Sequence, residues 1–221
     1  MSTQTTTATA TNRWPVPARV GAAGVATFFA ASIVTAALTP GYRSTRDQIS
    51  ALAALDSPYA KIMILGFLAA AIGLVSAGVG LARRYGATLS GKIAAGLVMV
   101  AGALMVVAGL ARQDCSQALP SCVDYGDGAL ASSSFWIHQY ASLLLFLLLV
   151  SASFVLVRAV RRTDGFGFLK VAARTVAYGT LALTVAMVVV GFGDHNGLVQ
   201  RPYLAVLFGW PILAAAIAPR R

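Results

Sequence analysis

YAKIMILGFLAAAIGLVSAGVGL, Tyr59–Leu81, decides the fold: beyond Lys61 it carries no charged residue. A helix rises about 1.5 Å per residue and the hydrocarbon core of a bilayer is about 30 Å thick, so about 20 such residues cross it. Five further blocks have the same character: Arg19–Leu38, Lys92–Ala111, Phe135–Val157, Phe168–Val190 and Pro202–Ile217. The last is the shortest and contains Pro211. In lipid every backbone donor and acceptor needs a partner inside the protein, which helices supply and open strands do not. The reading is all-α: a polytopic membrane bundle of six transmembrane helices.

Composition agrees. The chain is 58% hydrophobic and 11% charged, whereas a soluble domain carries about 25% charged residues. No soluble domain is present; residues 18–218 read as the transmembrane domain and residues 1–17 as a disordered cytoplasmic tail. The first block reads as an uncleaved anchor rather than a leader, from its length.

The net charge of +10 raises the question of nucleic acid, but its placement answers otherwise. With the N-terminus inside, Arg13, Arg19, Arg83, Arg84, Lys92, Arg158, Arg161, Arg162, Lys170, Arg174, Arg220 and Arg221 are cytoplasmic. Only Arg43, Arg46, Lys61, Arg112 and Arg201 lie outside. That is the positive-inside bias, so both termini are placed in the cytoplasm of a multi-pass cell-membrane protein. Six of the seven acidic residues fall on the outer side, and there is no Glu. Contact between the basic inner surface and anionic lipid is a secondary expectation. The excess of Arg over Lys and the abundance of Ala hint at a GC-rich bacterial source.

Cys115 and Cys122 share the second outer segment, on the oxidising side, and are expected to form a disulfide worth about 2–3 kcal/mol. A thiolate metal site is the rival reading, but no His lies near in sequence.

In the first outer connection, Thr45 and Gln48 have capping-box spacing, and Ile49, Leu52 and Leu55 recur at three-residue intervals. This predicts a short interfacial helix over Arg46–Leu55, apolar stripe inward, holding Asp47 and Ser50 over the mouth of the bundle. In the third span, the pairs Ala94-Ala95, Ala101-Gly102 and Ala108-Gly109 repeat every seven residues, a seam that lets backbones approach closely. Gly73, Ala77 and Gly80 are the expected matching face.

No ionisable residue lies near the middle of any span, which argues against an ion-coupled transporter or pump. No Walker loop, dinucleotide fingerprint or zincin motif occurs. The groups suited to chemistry gather at the outer rim: Arg46 and Asp47, Arg112 and Asp114, His138, then Asp194-His195-Asn196-Gly197 and Arg201. Each also has a structural reading. His138, between Trp136 and Tyr140, suits an aromatic belt; residues 194–197 suit a tight turn; Arg201 suits a pair with Asp194 or Asp47. Read together, two imidazoles with carboxylates could coordinate zinc or act as a general acid and base on a lipid headgroup. No cofactor is predicted, with zinc the one held open.

The chain resembles the six-helix prokaryotic membrane proteins catalogued as domain of unknown function 998. The resemblance rests on Asp47-Gln48-Ile49-Ser50-Ala51-Leu52, on Gly109 to Asp114, on His138 opening the fourth span, and on Gly197-Leu198-Val199-Gln200-Arg201 followed by Trp210. It implies the six-helix fold and that these outer residues belong together; it supplies no reaction. The cysteine pair is not part of that pattern.

The function expected first is a non-catalytic bundle that binds membrane lipid, another membrane protein or a second copy of itself at its outer face. The alternative is a membrane-embedded hydrolase or transferase on a lipid-like substrate, with Asp47, His138, Asp194 and His195 as catalytic candidates. Arg46, Ser50, Arg112, Asp114 and Arg201 would then bind the ligand. A facilitator of a small neutral solute is the third reading. No nucleic-acid partner is expected.

Overall fold

The computed structural model describes residues 14–116, 118–119, 122, 131–161, 167–190 and 195–217. Among them are six long helices: α1 Val16–Leu38, α2 Ala60–Tyr85, α3 Leu89–Leu110, α4 Ser133–Arg161, α5 Gly167–Val190 and α6 Asn196–Ile217. All six are long and apolar enough to cross a membrane. The protein is a six-helix polytopic membrane bundle. Helix α1 begins at Val16, inside the stretch expected to be tail, because Pro15 precedes it and Pro17 lies in its first turn, where a missing N–H costs nothing.

Each helix packs on the next, α6 returns to α1, and α2 and α6 also touch across the middle. Helix α5 is the least buried. We call the end that carries the connections 39–59, 111–132 and 191–195 the loop end, and the opposite end the terminal end.

Several hydroxyls within the spans find partners inside their own helices. Thr35 donates to the Ala31 carbonyl at 2.7 Å, Ser153 to Val150 at 2.6 Å and Thr184 to Thr180 at 2.7 Å. Such back-bonding lets polar residues sit in lipid without an unpaired donor. Arg83 and Arg84 end α2, and Arg158 and Arg161 end α4, where cations suit the negative end of the helix dipole.

The small-residue seam of α3 is buried as expected, but its partner is a different face of α2. A side chain added at Gly102 would meet Val75 and the Ala71 carbonyl, and one at Gly109 would meet Phe67. Gly73 and Gly80 instead face α1 and α6: Gly73 lies against Gly21 and Gly24, Gly80 against Ala215 and Pro17. Helix α2 is therefore central and uses two small-residue faces at once.

The interfacial helix expected over Arg46–Leu55 is a 3-10 turn confined to Ile49–Ala53, and all five of its residues are buried. It packs into the end of the bundle rather than along its surface. Its cap is Gln48, without a side-chain cap bond; the capping box does not form, because the turn starts at Ile49 and Thr45 lies three residues short of the cap position.

Candidate functional site at the loop end

The first connection leaves α1 through Gly41, whose φ of +79° is a conformation that glycine adopts without strain. It then docks on the first turns of α6. The Arg201 guanidinium donates to the carbonyls of Ser44, Asp47 (3.3 Å) and Gly197 (2.9 Å) and to the Tyr42 hydroxyl (2.7 Å). Burial pushes the Tyr42 phenol above its usual range, against the opposing pull of Arg201. Gly197 donates its N–H to the Arg46 carbonyl at 3.0 Å. A Cβ there would stand 2.5 Å from the carbonyls of Ser44 and Asp47, so the close approach requires glycine. The Gln200 amide oxygen accepts the Ile49 N–H at 2.7 Å and seats the 3-10 turn.

Asp47 is 2% exposed. Its carboxylate accepts the Arg43 N–H at 2.6 Å and the Arg46 side chain at 2.7 Å. This carboxylate fastens its own loop.

The second connection holds the turn from the other side. Arg112 donates to the carbonyls of Ala53 (2.9 Å) and Ala54 (2.5 Å), and Gln113 to the Ser50 hydroxyl at 3.2 Å. The Leu55 N–H bonds the Gln113 carbonyl at 2.9 Å, and Asp56 accepts the Ser116 N–H at 2.7 Å. Asp114 accepts the backbone N–H and the hydroxyl of Ser132, just before α4. Cys115 and Cys122 form the expected disulfide.

His138 enters one turn into α4 and is buried. Its Nδ1 lies 2.7 Å from the Ala108 carbonyl and 3.0 Å from that of Ala111. Carbonyls only accept, so Nδ1 carries the proton, and the ring closes the C-terminal turn of α3. Its edge faces Phe67, with ring centroids 6.3 Å apart.

The structure thus brings Arg46, Asp47 and Arg201 together at the start of α6, and Ser50 with Arg112 in an adjoining cluster. His138 belongs to neither; it sits below them. His195 is exposed, and its carbonyl accepts from Leu198 and Val199. Asp194 lies outside the described residues. Among the described residues no three His, Cys, Asp or Glu side chains gather as a metal site.

What lies beneath the turn is a cavity of about 290 Å³. Gln48, Ser50, His138, Gln139, Ser142, Asn196 and Gln200 give its polar lining. Phe28, Phe67, Phe146, Phe208, Met105 and Met187 are the main apolar groups. Leu143 and Val188 also line it, yet are 53% and 61% exposed; the cavity opens sideways between α4 and α5. Of the described candidate residues, only Ser50 and His138 take part. Gln139 and Ser142 had no place in the sequence reading, and Gln48, Gln200 and Asn196 entered it only as neighbours of charged or imidazole groups, because charge marks a candidate more plainly than an amide or hydroxyl does. The available signal was uncharged polar residues placed one or two turns inside apolar helices.

The family model described as "Protein of unknown function (DUF998)" matches residues 22–217, and the chain belongs to that family. No curated protein and no solved structure matches the chain.

Proposed function

We propose that this protein is a non-catalytic, membrane-embedded binding protein that takes an uncharged amphiphile from the lipid into the cavity at its loop end. The observation that carries the reading is the lining: amides, hydroxyls and an imidazole, aromatic and thioether groups around them, and, among the described residues, no Asp, Glu, Lys or Arg. Few convergent polar groups in an apolar, concave wall are the usual make-up of a small-molecule site. A hydroxyl or carbonyl headgroup can exchange hydrogen bonds with such a rim. An ionised headgroup would lose its hydration without gaining a counter-charge, at a cost of several kcal/mol. Lateral opening between α4 and α5 supports entry from the membrane.

A hydrolase or transferase gains less support. Asp47 is engaged with Arg46, lies outside the lining, and has no contact with His138. A facilitator would need a way down from the cavity, where Tyr203 and Leu207 are buried and Tyr203 packs edge-on against Phe146 at 5.3 Å.

In our reading the protein sits in the cell membrane with both termini inside, so the cavity and the cysteine loop face the outer leaflet. The distribution of Lys and Arg supports this. A native mass spectrum of protein extracted in mild detergent tests the binding reading. The expected result is an uncharged lipid adduct on wild type that is missing from Ser142→Trp, whose added ring fills the cavity. An unadducted mass for both, or an adduct indifferent to the substitution, would count against the reading.

A further inference from the structure

A second cavity, of about 160 Å³, lies at the terminal end among α2, α4, α5 and α6. Its wall is apolar, with Leu156, Val160, Ala173 and Val176 among its members. Phe168 and Ile217 line it too and are 77% and 55% exposed, so the slot opens to the side between α5 and α6. From Ser153, at its inner limit, to Arg161 is about 12 Å along α4, most of the half-thickness of a hydrocarbon core, about 15 Å.

Charge surrounds the mouth of this slot. Tyr85 lines the wall, and Arg84 precedes it on α2; Val160 lines it, and Arg161 follows on α4; Leu169 lines it, and Lys170 follows on α5. Long basic side chains can lay their stems on apolar surface and carry their heads to the interface. Residues 83–92 and 158–174 together hold eight Lys and Arg against one acid, Asp164. Arg84 adds an independent observation: its Nη1 is buried and, among the described residues, has no hydrogen-bond partner. A buried donor without an acceptor leaves its lost hydration uncompensated. A phosphate oxygen is the acceptor for which a guanidinium is best shaped.

We propose that this slot and the cations at its mouth form a binding site for an anionic phospholipid. One acyl chain occupies the slot, and the phosphate accepts from Arg84, with Arg161 and Lys170 completing the positive rim. Basic pockets between transmembrane helices favour anionic headgroups in this way. The site differs in place and in ligand class from the loop-end cavity and does not rest on it.

The test is a native mass-spectrometric titration of the whole protein with equimolar phosphatidylglycerol and phosphatidylcholine of identical chains. Wild type should carry the phosphatidylglycerol adduct at least fivefold over phosphatidylcholine. Arg84→Gln should bring that ratio below twofold. Ala173→Trp, which fills the slot, should remove the first phosphatidylglycerol adduct although Arg84 is intact. Gel filtration and helical circular dichroism confirm that each variant is folded; Arg84→Gln deletes no hydrogen bond among the described residues and serves alone if Ala173→Trp fails this check. Equal adducts on wild type would overturn the proposal. So would a preference that survives either folded variant, since it would then belong to the basic surface in general.

Discussion

Arg201 and Asp47 meet without pairing their charges: the guanidinium takes the main-chain carbonyl of Asp47 at 3.3 Å, while the Asp47 carboxylate takes Arg46 at 2.7 Å. A salt bridge between them would have tied two side chains. The observed arrangement ties the backbone of the first connection to α6 and leaves both groups committed to structure.

Replacing Arg201 by Met should therefore cost stability rather than remove a charge from a site. It deletes hydrogen bonds to three carbonyls and the Tyr42 hydroxyl, and each bond to a charged group contributes about 1.5–3 kcal/mol, not additively. A loss of about 2 kcal/mol or more is expected in thermal or denaturant unfolding in detergent. Arg201→Lys should not restore it, because an ammonium cannot reproduce the planar fork.

Gly197→Ala should weaken the same junction by about 1–3 kcal/mol, the usual cost of overpacking. Gly96 supplies the control, since an added Cβ there meets nothing within 4 Å. Gly96→Ala should leave stability unchanged or slightly raised. Equal effects of the two substitutions would mean that the loop does not dock on α6 as described.

His138→Ala should lower stability by about 1–3 kcal/mol, by leaving buried carbonyls of α3 unpartnered. The metal content of the purified protein, measured by elemental analysis, should be the same for wild type and variant. Zinc that is present in wild type and lost with His138 would revive the metal reading, with residues 191–194 supplying what the described residues lack.

The cysteine loop tests orientation. Cys115 and Cys122 should react with a membrane-impermeant maleimide on intact cells only after an impermeant reductant, and replacing both by Ser should cost about 2–3 kcal/mol. Labelling confined to lysed cells would put the loop end, and with it the first cavity, on the opposite side of the membrane.

Most of the fold was legible because a span is a local property: twenty apolar residues signal it wherever the rest of the chain goes. Helix α6 shows the limit. Its expected start was Pro202, whereas it begins at Asn196 and carries both Pro202 and Pro211 inside it, so neither proline ends the helix although each removes a backbone donor. The α3 seam was readable from its seven-residue repeat, but its partner face was not. Gly73 and Phe67 both lie on α2, and only the three-dimensional arrangement decides which of them α3 meets.

The site was legible by position and not by composition. Charged residues marked the loop end, and they turned out to fasten connections. The cavity below is lined from α1, α2, α3, α4, α5, α6 and the 3-10 turn, so its residues are scattered over the whole sequence. Gln139, Ser142 and Gln200 carry neither charge nor periodicity that would set them apart. The interfacial helix failed for a related reason: an apolar stripe on a short segment does not say whether it meets lipid or protein.

The central claim is that the loop-end cavity accepts an uncharged headgroup and rejects a charged one. The most direct measurement is a binding titration of 1-oleoylglycerol and of 1-oleoylglycerol 3-phosphate, the same molecule with a phosphate added, against wild type and Ser142→Trp. The account predicts that 1-oleoylglycerol binds wild type and loses at least tenfold in affinity in Ser142→Trp, about 1.4 kcal/mol. Binding of the phosphate should be indifferent to that substitution. Binding of 1-oleoylglycerol that is absent from wild type or unchanged by Ser142→Trp, or a phosphate whose binding falls with it, would contradict the account.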